Sequence, residues 1–305
     1  MESTMTENSA GTKRWKLNGI LHRTDGPAIE YDDGTRHWYL NGQLHRTDGP
    51  AVECTDSREW YLNGQLHRTD GPAVEYANGG KEWYQNDQLH RLDGPAVDWS
   101  SGYKEYRVND QLHRLDGPAV ECTDSREWYL NGQLHREDGP AIEYPDGTKK
   151  WYLNGQLHRL DGPAIEYADG TKSWWVDGQR HRTDGPALEY PDGSKFWYLN
   201  GKLHRVDGPA IEYPDGRTEW YLNGRFHRVD GPAIERTNSK EWYLNGQLHR
   251  TDGPAVEWAD GNKEYWINDQ LHREDGPALE YADGDKEWWV EGKQYTEKEY
   301  MDKVK

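Results

Sequence analysis

Residues 139–161 read Gly-Pro-Ala-Ile-Glu-Tyr-Pro-Asp-Gly-Thr-Lys-Lys-Trp-Tyr-Leu-Asn-Gly-Gln-Leu-His-Arg-Leu-Asp, and this stretch decides the fold because the chain repeats it. The string His-Arg-x-Asp-Gly-Pro-Ala occurs twelve times in 305 residues, led by His22, His45, His67, His90, His113, His135, His158, His181, His204, His227, His249 and His272. The spacings are 22 or 23 residues throughout. A fixed period in this range is the mark of a repeat architecture. Residues 51–68 recur unchanged as residues 119–136, three units later, as a duplication would leave them.

Each unit holds two extended runs separated by turn chemistry. The first is Ala-(Val/Ile/Leu)-Glu-Tyr, as in residues 164–167, and the second is Lys-x-Trp-Tyr-Leu, as in residues 149–153. Asp169-Gly170 and Asn154-Gly155 supply residues that tolerate positive φ. Trp, Tyr and branched residues favour strands, and no helical period runs through the units. The three 22-residue spacings share one cause: residues 54–57, 122–125 and 236–239 each shorten the Asp-Gly connection by one residue. A deletion in a turn preserves strand alternation, whereas one inside a strand would flip its faces.

Two all-β architectures fit such a unit: an antiparallel row of hairpins, or a parallel β-solenoid with one coil per unit. In a solenoid identical residues stack about 4.8 Å apart. The Arg, the Asp and the strand Glu would then form like-charge ladders, which are destabilising. In a hairpin row equivalent residues lie two strands, about 9.6 Å, apart. The sequence therefore predicts a twisted, elongated, single-layer antiparallel sheet of about twelve hairpin repeats over residues 14–293. Residues 1–13 are expected as a flexible tail. Thr296 with Glu299 has the form of a capping box, and Tyr300 and Val304 are four apart. Residues 294–305 are therefore expected as a short capping helix, since a repeat array needs a terminal cap.

Alternation groups Val/Ile with the following Tyr in the first run, and Trp with Leu in the second. The Trp column is always aromatic, with Tyr106 and Tyr265 as its variants, whereas the adjacent column admits Lys16 and Arg107. A position that accepts Lys and Arg is open to solvent. Trp, Leu and Val are thus expected on the packed face, with Gln85 departing from the Leu column. The wetter face is expected to carry Tyr39, Tyr61, Tyr84, Tyr129, Tyr152, Trp175, Tyr198, Tyr221, Tyr243, Trp266 and Trp289 as candidate partner-binding residues.

Composition bounds the function. Leu, Ile, Val and Phe together make up only about 14% of the chain, low enough to suggest disorder by itself. Yet there are 16 Trp and 20 Tyr against two Phe, so rings with polar handles replace an aliphatic core. No apolar run is long enough for a transmembrane helix, and residues 1–13 lack the apolar segment of a secretory signal. A cytoplasmic location, in a bacterial or host cell, is the expectation. The formal charge of −18 disfavours direct nucleic-acid binding and anionic membrane surfaces.

The pattern Trp-Tyr-Leu-Asn-Gly-x-x-His followed by Asp-Gly-x-x-x-Trp-Tyr resembles MORN repeats and related bacterial antitoxin-like repeats, over residues 14–293. It departs from the MORN pattern where Arg follows His in place of the usual Gly. The resemblance implies hairpin repeats used for protein or lipid contact.

The recurring string invites a metal reading, but zinc ligands lie about 2.0–2.2 Å from the ion, and His in neighbouring units are about 9.6 Å apart. Neither a metal nor a cofactor is expected. The string His158, Arg159, Asp161, Gly162, Pro163 is read as structural: Asp capping its turn, Gly-Pro fixing entry into the next strand, Arg pairing with a carboxylate. Folding constrains every unit alike, whereas a catalytic centre occurs once. His37 stands outside the string with no nucleophile in a recognisable arrangement, and Cys54 and Cys122 are too far apart to bridge, so no enzyme is expected. The leading expectation is a non-catalytic acidic scaffold for a basic protein partner, in its sharper form an inhibitor or antitoxin-type binder of a basic nucleic-acid enzyme. The alternatives are small-ligand or glycan capture on the Tyr/Trp platform, and a structural viral or phage accessory role. A homo-oligomer is compatible with all three.

Overall fold

The computed structural model describes residues 3–303 and divides into two compact units, residues 1–156 and residues 157–305. In the first unit a ladder of antiparallel strands begins with Thr4–Glu7 against Lys13–Leu17. It continues through Ile29–Glu30, Arg36–His37, Val52–Glu53, Ser57–Glu59, Val74–Tyr76 and Lys81–Glu82. Then come Val97–Asp98, Lys104–Glu105, Val120–Glu121, Arg126–Glu127, Ile142–Glu143 and Lys149–Lys150. The second unit has the same ladder from Ile165–Glu166 and Lys172–Ser173 to Leu279–Glu280 and Lys286–Val290. Within each unit every strand of the ladder pairs antiparallel with the next strand of the ladder, so equivalent residues lie two strands apart and the solenoid alternative is excluded.

The Asp-Gly connection closes as expected. Tyr31 N–H donates to the Thr35 carbonyl at 2.9 Å, Gly34 has φ 88°, and Asp33 Oδ1 accepts from Thr35 N–H at 2.8 Å. In the shortened unit Cys54 N–H reaches the Ser57 carbonyl at 3.0 Å instead. The register is unharmed: Glu53 faces Arg58 as Glu30 faces Arg36.

The second run differs from its expected form. It breaks at the Trp, whose N–H leaves the local pair and donates to the Ala of the next repeat, as in Trp38 to Ala51 at 2.8 Å. Tyr39–Leu40 then turns out of the ladder and pairs with Gln43–Leu44 across Asn41 (φ 53°) and Gly42 (φ 83°). Two positive φ values make a type I′ turn, the geometry Asn-Gly favours. These small hairpins link repeat to repeat: Gly64 N–H donates to the Leu44 carbonyl at 2.8 Å. Gln85 sits on one of them and is exposed, so its polar amide displaces no core residue.

Where a thick core would be, there is a repeated thin one. The Ala of every string is 0% exposed, and the next residue is 2–8% exposed from Ile29 to Val256. The column grouping expected from alternation is corrected. Val74 stands directly opposite Glu59 and Glu82, so these share a face. Tyr61 and Tyr84 hydroxyls donate to those same carboxylates at 3.1 and 3.0 Å. The Val column therefore lies with the tyrosines. Trp lies on the opposite face with the Glu that follows Val and the Arg of the string, as Arg68 stacks on Trp60 and pairs with Glu75. Alternation holds through the Trp, since Glu59 and Tyr61 share a face; it is the register, which sets Val74 opposite the residue before each Trp, that puts Val with the tyrosines.

Both ends differ in their bounds from the sequence expectation. Instead of a loose tail, Thr4–Glu7 is a strand, closed by the Asn8 side chain, whose Oδ1 accepts from Ala10 and Thr12 N–H at 3.1 and 3.0 Å. Backbone pairing and one Asx turn hold it, which hydrophobic patterning does not reveal. At the other end Lys293–Tyr295 is still a strand, paired with Lys286–Val290, and the helix is Glu297–Lys303. Glu299 N–H donates to Thr296 Oγ1 at 3.3 Å and Thr296 N–H to Glu299 Oε2 at 2.9 Å, the capping box in full. Tyr300 is 1% exposed, and its hydroxyl accepts from Gly276 N–H at 2.9 Å. Val304 lies outside the described residues.

Candidate functional site

The repeated string is built around its arginine. Arg205 stacks on Trp197, eight residues earlier, with Cζ 4.1 Å from the ring centre. Its Nε donates to Asp207 at 3.0 Å, and its Nη1 to the Pro209 carbonyl at 3.2 Å and to Glu212 at 2.8 Å. The guanidinium thus joins the aromatic of one strand, the loop and the carboxylate of the next strand. Stacking of this kind contributes about 0.5–2 kcal/mol, and its planar fork suits Arg and not Lys. A Cβ added to Gly208 would lie 2.7 Å from Arg205 Cζ. A side chain there would push the guanidinium off these partners, so space and not backbone angle favours glycine.

Arg159 makes the same polar contacts: Asp161 at 2.9 Å, the Pro163 carbonyl at 3.2 Å and Glu166 at 3.1 Å, with a Gly162 Cβ placed 2.9 Å from its Cζ. The expectation that Arg pairs with a carboxylate holds. Asp161 has a different role from the turn cap expected of it: its carboxylate holds Arg159, whose hydrogen bond and charge keep the carboxyl below its ordinary range. His158 reaches the next repeat, with Nδ1 2.9 Å from Asp177 Oδ1. In the first unit His45 accepts the Asn63 N–H at 3.2 Å through Nδ1. The histidines are inter-repeat ties. Among the described residues no three His, Cys, Asp or Glu side chains converge as a metal site would need.

The arrangement separates charge by depth. Arg205 is 22% exposed and Asp207 85%, and Arg46 and Asp48 give 21% and 81%. Cations turn inward and anions face solvent along the loops.

The candidate aromatic row is half-buried along its whole length, from Tyr39 through Tyr152, Trp175 and Tyr198 to Trp289. Several of its polar handles are engaged. Tyr129, Tyr221 and Tyr243 hydroxyls donate to Glu127, Glu219 and Glu241 at 2.9, 3.1 and 3.3 Å. Trp266 and Trp289 donate to Glu264 and Glu287 at 2.9 Å, and Trp175 to Ser173 at 2.6 Å. Burial first, then the Glu241 charge, pushes the Tyr243 phenol up to about 12. Burial and Glu82 push Tyr84 up likewise. The Tyr/Trp ridge presents ring surface more than hydrogen-bonding groups.

Other singled-out residues are plainly placed. Cys54 Sγ lies 3.3 Å from Ser57 Oγ and Cys122 Sγ 3.4 Å from Ser125 Oγ, and both cysteines are free. His37 packs against Tyr31 with ring centres 5.2 Å apart, its Nδ1 without a hydrogen-bond partner. Burial lowers its pKa, opposed by Glu59 and Asp33.

Between consecutive strings lie grooves. Three in the second unit have volumes of about 620–650 Å³, and one in the first, between the Arg91 and Arg114 loops, about 770 Å³. No family model matches the chain, and no curated protein matches it. Sequence reasoning passed over the x position of the string. Leu92, Leu115, Leu160, Val206 and Val229 stand there 78–84% exposed. The signal was present, since other strings carry Thr or Glu at that point.

Proposed function

We propose that this chain is a MORN-like, non-catalytic acidic repeat scaffold that binds a basic protein partner, acting in the cytoplasm of a bacterial or host cell. One observation carries the reading: the string buries its arginine against an aromatic and leaves its aspartate about four-fifths exposed, repeat after repeat. A chain of formal charge −18 built this way offers a regularly spaced acidic surface. Such a surface suits fast, salt-sensitive association with a cationic protein and repels phosphate backbones. A basic nucleic-acid enzyme is the partner class with the matching charge, and masking its cationic substrate groove would inhibit it. Among the described residues no helix is long and apolar enough to cross a membrane.

The test is capture from lysate on the immobilised chain at low and high salt, with the retained proteins identified. Retention of basic proteins at low salt and their release at high salt is the expected result. Recovery of no protein at low salt, or of acidic proteins only, overturns the reading.

A further inference from the structure

One groove departs from the others at its floor. In every other repeat the strand carboxylate is a glutamate paired with the Arg of the preceding string, from Arg23–Glu30 at 3.5 Å to Arg273–Glu280 at 2.7 Å. At position 98 the residue is aspartate, one methylene shorter. Arg91 holds Asp93 at 2.9 Å and the Pro95 carbonyl at 3.3 Å. Among the described residues no cation forms an ion pair with Asp98, although Lys81 and Lys104 stand opposite it in the ladder. Asp98 lines the groove of about 770 Å³, with Lys104 on the same wall. At its rims Leu92 and Leu115 are 81% and 84% exposed, a pair of apolar rims matched only by Val206 and Val229 at 78% and 82% among the described residues. Beside Leu92 and Leu115 the Asp93 and Asp116 side chains are 85% and 84% exposed.

We infer that this groove is the docking site for a basic amphipathic helix of the partner protein, an inference that rests on the acidic-scaffold reading above. Apolar side chains of the helix contact Leu92 and Leu115, and a Lys or Arg between them enters the groove to meet Asp98. The spacing fits. Adjacent loops lie two strands, about 9.6 Å, apart, and helix residues seven apart are separated by about 10.5 Å along the axis. Charge complementarity selects the occupant. Arg91, Arg114 and Lys104 also line the groove, but the two arginines lie inward at 24% and 21% exposed beneath rim carboxylates that are 85% and 84% exposed, and among the described residues no cation pairs with Asp98 at the floor. Leucine beside acid recognises an apolar residue flanked by cations.

The probe is a fluorescein-labelled helical peptide with Leu at two positions seven apart and Lys beside each, followed by anisotropy against the full chain at low salt. A scrambled peptide of identical composition is the control. The ordered peptide is expected to bind at least about tenfold more tightly than the scrambled one. That advantage is expected to vanish in the L92T/L115T variant, which carries the residue found at Thr47 and Thr69. It is also expected to shrink in D98E, which restores the pairing seen elsewhere. L160T, in a different groove, should change nothing. Circular dichroism and melting curves matching the parent show that the variants fold. Equal binding of both peptides, or an unchanged advantage in L92T/L115T, overturns the groove inference while leaving the acidic scaffold standing. Failure of both peptides to bind at low salt overturns the two together.

Discussion

Arg205 illustrates what one residue does in this chain. It contacts the Trp197 ring, Asp207, the Pro209 carbonyl and Glu212. Removing it leaves Glu212 without its cation and the ring without its cover. Arg205→Ala should cost about 2–4 kcal/mol of stability, the range of a charge-assisted hydrogen-bond set plus a stacked cation. Asp207→Ala should cost much less, because that carboxylate is exposed and water replaces its partner. Gly208→Ala tests the geometry independently, since its Cβ would lie 2.7 Å from the guanidinium carbon. The two changes act on one contact. A double-mutant cycle by chemical denaturation should therefore show R205A/G208A little worse than R205A. Strict additivity would contradict the account.

At the scale of elements, strands two residues long persist because their flanking groups are also bonded. Ala51 gives its N–H to Glu59 and takes that of Trp38, both at 2.8 Å, so one buried residue bridges two strands. The last repeat is closed by a helix of seven residues, too short to stand alone. Its capping box and the Tyr300 contact with Gly276 fix it. Thr296→Ala should cost about 1 kcal/mol and raise amide exchange in residues 286–303 without touching distant repeats, because repeat stability is local. Exchange rates rising along the whole chain would contradict this. The hairpin period, both turn types and the place of the helix cap were legible in the sequence, since Asp-Gly, Asn-Gly and Thr-x-x-Glu carry their own backbone chemistry. The face of the Trp was not. Alternation orders residues within one run, whereas the face Val shares is set by register between runs, which puts Val74 opposite Glu82 and not Trp83, a cross-strand pairing that no local pattern encodes. The loose floor at Asp98 was hidden for a related reason: Asp and Glu look equivalent until the reach of Arg91 is known.

For the whole molecule, the ionisable groups set a pH window. Asp25, Asp161 and Asp252 have carboxyl pKa values held down by their arginines. A depressed folded pKa stabilises above the ordinary carboxylate value, about 3.9, and that contribution is lost as pH falls below it. The phenols of Tyr129, Tyr221 and Tyr243 are raised, by burial foremost and by their glutamates. Raised pKa values stabilise below about 10 and the contribution is lost as pH climbs through the folded value. Melting temperature against pH should therefore be broadly flat between about 5 and 9 and fall on both sides. A maximum below pH 4 would contradict the Arg–Asp pairing.

The central claim is that inward arginines and outward aspartates make an acidic surface for a basic partner. The most direct measurement compares the parent chain with D93N/D116N/D138N for binding a captured basic protein at low and high salt. Asparagine still accepts the arginine Nε–H, so the fold should hold, as circular dichroism would register. The account predicts about tenfold weaker binding at low salt, with the difference shrinking at high salt. Unchanged affinity at both salt concentrations would contradict it.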